Sequence, residues 1–134
     1  MKKIKCSLLT PERKLYEGEA EFAVVQAYNG EMGFLVDHAP LISELGIGEI
    51  RLSEGKSVEY FVIEGGIVEI LNNNMIILAE KAFKKDELDK KELEVQLKAV
   101  KEQKEKEFKA FSIEWIQLQD QERRIKARIK VASR

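Results

Sequence analysis

Two patterns of apolar and polar positions divide the chain. Up to about residue 80 the apolar side chains come in short runs: "IKCSLL", "EFAVVQAY", "EIRLS", "VEYFVI", "GIVEIL" and "MIILAE". Val, Ile, Phe and Tyr dominate them, and such residues fit a pleated, half-buried strand. All eight glycines (18, 30, 33, 46, 48, 55, 65 and 66) and both prolines (11 and 40) lie in the first 66 residues. They punctuate the runs at intervals of about 8–12 residues, which predicts a small β-sandwich or barrel. Gly65-Gly66 marks a reversal or a bulge in "EYFVIEGGIVEIL",. "LNNNMIIL" predicts a hairpin, because asparagine tolerates left-handed backbone angles,. The β region is expected to end near Lys81–Lys85, dividing the chain into residues 1–84 and 85–134.

From Asp86 onward the spacing is helical. Asp86 is expected to cap the first turn, with Glu87 and Asp89 favoured near the positive end of the helix dipole,. Leu93, Leu97, Val100, Phe108 and Phe111 form one apolar stripe, interrupted by Lys104. A second stripe runs through Trp115, Leu118, Ile125, Ile129 and Ala132, with Glu122 in its gap, and Ser112 can cap the helix that carries it. A single helix of about 48 residues would be a rod about 70 Å long and could not bury both stripes. Two helices near 87–108 and 113–131 are therefore expected to fold back as a hairpin. The connection lacks Gly and Pro and the stripes are thin, so the hairpin reads as weakly packed and able to open for a better partner; a static hairpin on the β domain is the alternative.

Charge sharpens this division. Residues 1–83 carry 8 basic and 13 acidic side chains, a balance of −5, whereas residues 84–134 carry 15 and 11, a balance of +4. The segment "RRIKARIKVASR" holds six basic residues and no acidic one, so the second part is drawn to something acidic. Its aliphatic residues offer no stacking platform, which argues against nucleic acid. A short basic helix could also rest on an anionic membrane as a surface adaptor. No apolar run is long enough to insert into a bilayer.

Candidate chemistry is sparse. Cys6, the sole cysteine, lies in a strand-like run and reads as an inert thiol,. One histidine and one distant cysteine make no metal site, and no phosphate-binding glycine loop appears. Asp37-His38 within "GEMGFLVDHAP" is the remaining candidate, for a small β-domain enzyme using His38 as a base. Adjacent residues of an extended segment face opposite ways, which speaks against a direct pair.

"LLTPERKLYEGEAEFAVV", "NGEMGFLVDHAPLISELGIGEIRL" and "IEGGIVEILNNNMIILAEKA" together resemble the epsilon subunit of F-type ATP synthases. The resemblance covers nearly the whole chain and rests most on the "GExG…HAP" block. It implies a β-sandwich of about ten short strands followed by an α-helical hairpin, with no catalytic residues and no cofactor. The implied place is the rotor's central stalk, bound to the gamma subunit and the c-subunit ring, peripheral to the cytoplasmic face of a bacterial membrane. The implied task is coupling for proton- or sodium-driven ATP synthesis. Glu31 and Met32 of the Gly30–Gly33 turn, with His38, Ala39, Pro40 and Leu41, match the contacts to ring and gamma. Asp37 stands where the family often has glycine, a departure that speaks against a left-handed backbone angle there, although aspartate tolerates one better than most residues. In the extended state of the tail, Arg123, Arg124, Lys126, Arg128 and Lys130 would meet acidic groups of beta, with alpha alongside, and slow ATP hydrolysis. Some members bind ATP at the start of the first helix through a pattern like [IL]-D-x-x-R-A. Leu88-Asp89 begin that match and Arg123 or Arg128 could complete a phosphate site, but Glu92 replaces the expected arginine and repels phosphate,.

Overall fold

The computed structural model describes residues 2–106 and 112–134. The described residues form eight strands: β1 (Ile4–Leu9), β2 (Lys14–Ala20), β3 (Phe22–Ala27), β4 (Gly30–Leu35), β5 (Leu41–Glu54), β6 (Ser57–Leu71), β7 (Asn74–Ala79) and β8 (Ala82–Lys84). A short 3-10 turn at Lys85–Glu87 leads into helices α1 (Lys90–Glu105) and α2 (Ile113–Ala132). The sheet order is β2-β1-β7-β6-β5-β3-β4, with β8 beside β6. Only the β1–β7 pair among the described strands is parallel. Eight strands stand where about ten short ones were expected because β5 and β6 run on for 14 and 15 residues. Each passes through both layers of the sandwich.

Gly65-Gly66 is the pivot of that passage, a bend inside β6 rather than a reversal. Their φ angles are 82° and 131°, and across them β6 exchanges β8 (at Phe61–Ile63) for β7 (at Gly66–Leu71). A Cβ on Gly66 would lie 2.1 Å from the Leu78 carbonyl oxygen, so no other residue fits,. The bend also shifts which residues face inward, from Phe61 and Ile63 before it to Val68 and Ile70 after it,. The β6–β7 hairpin closes through Asn72 and Asn73, with φ of 49° and 62°, as the asparagine run predicted,.

The inward residues of both layers form one core, including Ile4, Cys6 and Leu8 of β1, Phe34 of β4, Phe61 and Ile63 of β6, and Met75 and Ile77 of β7. Each such apolar side chain contributes about 1.5–3 kcal/mol relative to exposure. Burial pushes the Cys6 thiol up to about 11, which keeps it protonated and inert at neutral pH,.

Two features of the helices differ from the expectation. Asp89, not Asp86, caps α1, accepting from the Glu92 N–H at 3.2 Å. Asp86 is taken up in the 3-10 turn, and the extended backbone at Leu88 delays the helix by three residues. Lys104 and Glu122, read as flaws in the two stripes, meet each other at 3.0 Å across the hairpin, and the Lys104 ammonium lies 4.8 Å from the Trp115 ring centre. Each interruption thus satisfies the other. Ser112 caps α2 as expected, accepting from Trp115 N–H at 3.2 Å. Leu93 is buried on α1, and Leu118, Ile125 and Val131 on α2. Phe108 and Phe111 lie outside the described residues.

Candidate functional site: two faces of the sandwich

Alternation along the second half of β5 and the first half of β6 sends Ile47, Glu49 and Arg51, with Tyr60, Val62 and Glu64, to the outer face of one layer, where Phe83 of β8 joins them. Helix α2 covers this face. Val62 is fully buried there although it lies outside the sandwich core. Two glutamates are buried with it, Glu49 at 3% exposure and Glu64 at 1%. An unpaired carboxylate at such depth would be costly, and both are paired with the basic helix. Arg124 Nη1 donates to Glu64 Oε1 at 3.0 Å, and Arg128 Nε donates to Glu64 Oε2 at 2.7 Å. Arg134, just beyond α2, donates through Nε and Nη2 to the two oxygens of Glu49, both at 2.7 Å. The Arg128 guanidinium also lies 4.7 Å from the Phe83 ring centre, and that of Arg134 5.3 Å from Tyr60,.

The electrostatics follow the contacts. Burial acts to raise the Glu49 pKa, but hydrogen bonds from Arg134 and Arg51 outweigh it and hold the carboxyl below its ordinary value. Asp120 is lowered by its bond from Arg124, and Glu122 by that from Lys104. The basic segment is therefore divided. Arg124 and Arg128 face the β-domain; Arg123 pairs with Asp120 at 3.0 Å and is largely exposed, and Lys126 reaches Glu122 at 3.4 Å. Lys130 is exposed. With Arg124 and Arg128 turned inward and Ile125 and Val131 buried, this part of α2 is committed to the sandwich rather than left free as an amphipathic surface.

The "GEMGFLVDHAP" segment takes a different form from that expected. Gly30–Gly33 is no turn; the turn is Tyr28-Asn29, and Gly30 begins the edge strand β4. Glu31 points outward and accepts from Arg51 Nη1 at 3.0 Å, whereas Met32 packs against the core, as does Leu41. Asp37 does adopt the left-handed angle, φ 66°. It is stabilised by Asn73, whose Oδ1 accepts from Asp37 N–H at 2.6 Å and whose Nδ2 donates to Asp37 Oδ1 at 2.9 Å. The Asp37 carboxyl is lowered first by that bond and then by Lys2. His38 turns instead to the Ala39 carbonyl, at 2.6 Å from Nδ1, and stacks obliquely on Phe34 at 4.8 Å. Asp37 and His38 do not pair, so the catalytic reading loses its geometry. Ala39 and Pro40 are exposed.

A cleft of about 530 Å3 separates the helices from the sandwich, lined by Glu64, Lys81, Gln96, Arg124 and Arg128 among others. Of Leu88, Asp89, Arg123 and Arg128, only Arg128 lines it, and Glu64 already occupies that guanidinium. Asp89 serves as the helix cap.

The outer face of the other layer is uncovered. Here β5 presents Ile42 and Glu44, β6 presents Ile67 and Glu69, and β7 presents Ile76 and Leu78, in register. Ile42 is 66% exposed, and the other three apolar residues are exposed as well.

The family model for the ATP synthase delta/epsilon chain β-sandwich domain matches residues 3–85. The ATP synthase epsilon chain of Leptospira interrogans is 38% identical over 100 residues, covering 75% of this chain and 76% of that one. The chain belongs to the ATP synthase epsilon-chain family. The epsilon chain of Halalkalibacterium halodurans is 33% identical over 131 residues, covering 96% of each. Among solved structures, the fold matches a chain of the Euglena gracilis mitochondrial ATP synthase OSCP/F1/c-ring assembly with a TM-score of 0.83 at 18% identity, over 98% of this chain and 82% of that one. A chain of the Tetrahymena thermophila mitochondrial ATP synthase central stalk/c-ring matches with a TM-score of 0.60 at 16% identity, over 98% and 97%. Epsilon chains are stalk subunits rather than catalytic ones. The small-enzyme alternative is thereby set aside. Sequence reading missed Glu49 and Glu64 as anchors of this epsilon-family hairpin; their signal was a single carboxylate set in an apolar strand run, at "GIGEIRL" and "FVIEGGIV".

Proposed function

We propose that the chain works in the central stalk of an F-type ATP synthase, joining the gamma subunit to the c-subunit ring so that torque passes without slip during proton- or sodium-driven ATP synthesis. The observation that carries this reading is the uncovered stripe of Ile42, Ile67, Ile76 and Leu78. Exposed apolar surface of this kind, rimmed and interleaved by Glu44 and Glu69, marks an interaction site,, and a sheet offers the broad, stiff contact that torque transfer needs. The stripe continues into the "HAPL" segment through Ile42. Glu31, Ala39 and Pro40 would touch ring and gamma directly, and Met32, His38 and Leu41 would hold their backbone in place. The chain would be peripheral, on the cytoplasmic face of a bacterial membrane; no described helix is long and apolar enough to cross one.

The hairpin is proposed to be a brake on ATP hydrolysis. Helix α2 is held to the sandwich largely by arginine–carboxylate pairs, and an acidic surface elsewhere can replace such pairs in kind. On release it would extend along gamma, and Arg123, Arg124, Lys126, Arg128 and Lys130 would meet acidic groups of beta, with alpha beside it. Such inhibition weakens as salt shortens the Debye length below about 10 Å. No nucleotide is assigned to the hairpin, because Glu92 stands where a guanidinium is needed and Glu64 neutralises Arg128.

The test is ATP hydrolysis by a reconstituted catalytic head with gamma, carrying either the full chain or residues 1–84 at confirmed stoichiometric binding. A rate several-fold higher with the truncated form supports the brake. Equal rates with both forms bound leave the hairpin structural, and failure of residues 1–84 to bind removes the stalk assignment of the sandwich.

A further inference from the structure

Four charges of alternating sign run unbroken from β4 to the end of α2. Glu31 Oε2 accepts from Arg51 Nη1 at 3.0 Å, and that same nitrogen donates to Glu49 Oε1 at 2.8 Å. Arg134 Nη2 donates to the same Glu49 oxygen at 2.7 Å, while its Nε takes the other oxygen. Two guanidiniums therefore share a single carboxylate oxygen, on a side chain that is 1% exposed. One carboxylate balances one of them. The second positive charge is balanced by Glu31, which lies on the far side of Arg51.

The two arginines are not equally free. Arg51 is held in β5, flanked by β3 and β6, and its guanidinium has carboxylates on both sides. Arg134 lies beyond the C-cap of α2, Ser133, and its guanidinium has Glu49 as its bonded carboxylate. If the charge of Glu31 is withdrawn, Arg51 and Arg134 repel across one shared oxygen, and the more weakly tethered side chain yields. We infer that Glu31 and the docked end of α2 are coupled through Arg51 and Glu49, so that a cationic partner group engaging Glu31 loosens the tail. Linkage makes the effect reciprocal: release of Arg134 leaves Glu49 to Arg51 alone and raises the affinity of Glu31 for a cation by the same factor. A contact on the outward edge of β4 is thereby felt at the helix that covers the same face. The coupling rests on the proposed stalk function only for what approaches Glu31 in the assembly; inside the chain it rests on the four contacts.

It is tested on the isolated full chain at low ionic strength, by amide hydrogen exchange resolved residue by residue. Three variants are compared with the parent: Glu31→Gln, Arg51→Gln and the two together. Glu31→Gln is expected to speed exchange at Val131, Ala132 and Ser133 by about three-fold, the range of a partly exposed charge pair, with Phe61 and Ile63 unchanged. With Arg51 replaced by Gln there is no second guanidinium for Glu31 to balance, so the double variant should exchange at the rate of Arg51→Gln alone. A purely direct attraction between Glu31 and Arg134 predicts that Glu31→Gln speeds exchange by the same factor in the Arg51→Gln background as in the parent, and that result overturns the inference. So does a silent Glu31→Gln, or a change shared by Phe61 and Ile63, which would report loss of the whole fold. No partner is needed for the measurement, so its failure would leave the proposed ring contact of Glu31 standing. Loss of ring binding by Glu31→Gln in the assembly would, conversely, leave the coupling standing.

Discussion

The two outer faces of the sandwich are built from the same two strands and end in opposite conditions. On one, the second half of β5 and the first half of β6 present Glu49, Arg51 and Glu64, and α2 seals them. On the other, the remaining halves present Ile42, Glu44, Ile67 and Glu69 beside Ile76 and Leu78, and none of the described residues covers them. Glutamates occur on both faces, Glu49 and Glu64 on the one and Glu44 and Glu69 on the other, and the covered face also holds Tyr60, Val62 and Phe83. The difference teaches that cover goes where charge and apolar contact coincide. The basic helix docks where its arginines pair with carboxylates that it buries and stack on Tyr60 and Phe83, and the open stripe stays available to another subunit. Contacts of the two kinds suit different lifetimes: ion pairs can be exchanged for other ion pairs, while apolar surface, once buried in an assembly, has no reason to leave.

The sharpest way to break this comparison is at Glu64. Replacing Glu64 with Ala removes the carboxylate that receives both Arg124 and Arg128. Breaking a buried pair costs about 3–5 kcal/mol, and the partial exposure of both arginines reduces that here to about 2–3. Amide exchange along α2 should rise by well over ten-fold while Phe61 and Ile63 keep their protection. If helix and core loosen together, the faces are not separate units.

Acid reaches the same face by a gentler route. Glu49, Asp120 and Glu122 have lowered pKa values in the folded state, the two glutamates from an ordinary 4.5 and Asp120 from 3.8. A depressed carboxylate contributes stability that is complete above its unfolded pKa and is lost as pH falls through the folded one. Docking of α2 should therefore be independent of pH from 7 down to about 4.5 and weaken below it. A helix that loosens between pH 7 and 5, followed by near-ultraviolet circular dichroism of Trp115, would contradict that assignment of groups.

On the open face the expected response is of another kind. Ile42→Lys should change the unfolding free energy of the isolated chain by no more than about 0.5 kcal/mol, since that residue is already 66% exposed,. Binding to a gamma–c-ring subcomplex should fall by at least about ten-fold if the stripe is the contact. Calorimetric unfolding and a binding titration separate the two. Equal binding by parent and variant would remove the stripe from the interface. The smallest effect lies within the hairpin: Lys104→Met keeps the apolar stem over Trp115, loses the bridge to Glu122, and should cost about 1 kcal/mol or less in thermal unfolding.

Much of this molecule is determined by local sequence. The separation into a β part and a helical part follows from where glycine and proline stop, at Gly66, and from the change of apolar period after Asp86. The left-handed turn at Asn72-Asn73 and the Ser112 cap follow from side chains that reach only their own neighbourhood, whereas the left-handed Asp37 is also held by Asn73, 36 residues on. The resemblance carried by "GExG…HAP" was likewise a property of spacing. What tertiary structure alone decided is long-range. A lone glutamate in an apolar strand run is only a hint; its burial is decided by an arginine from 60 or 85 residues away that arrives to balance it, as Arg124 does for Glu64 and Arg134 for Glu49. For the same reason Lys104 and Glu122, 18 residues apart, read singly as flaws and prove to be partners. A backbone angle or a cap is determined within a few residues, whereas the cost of burying a charge depends on whatever distant group the fold brings beside it.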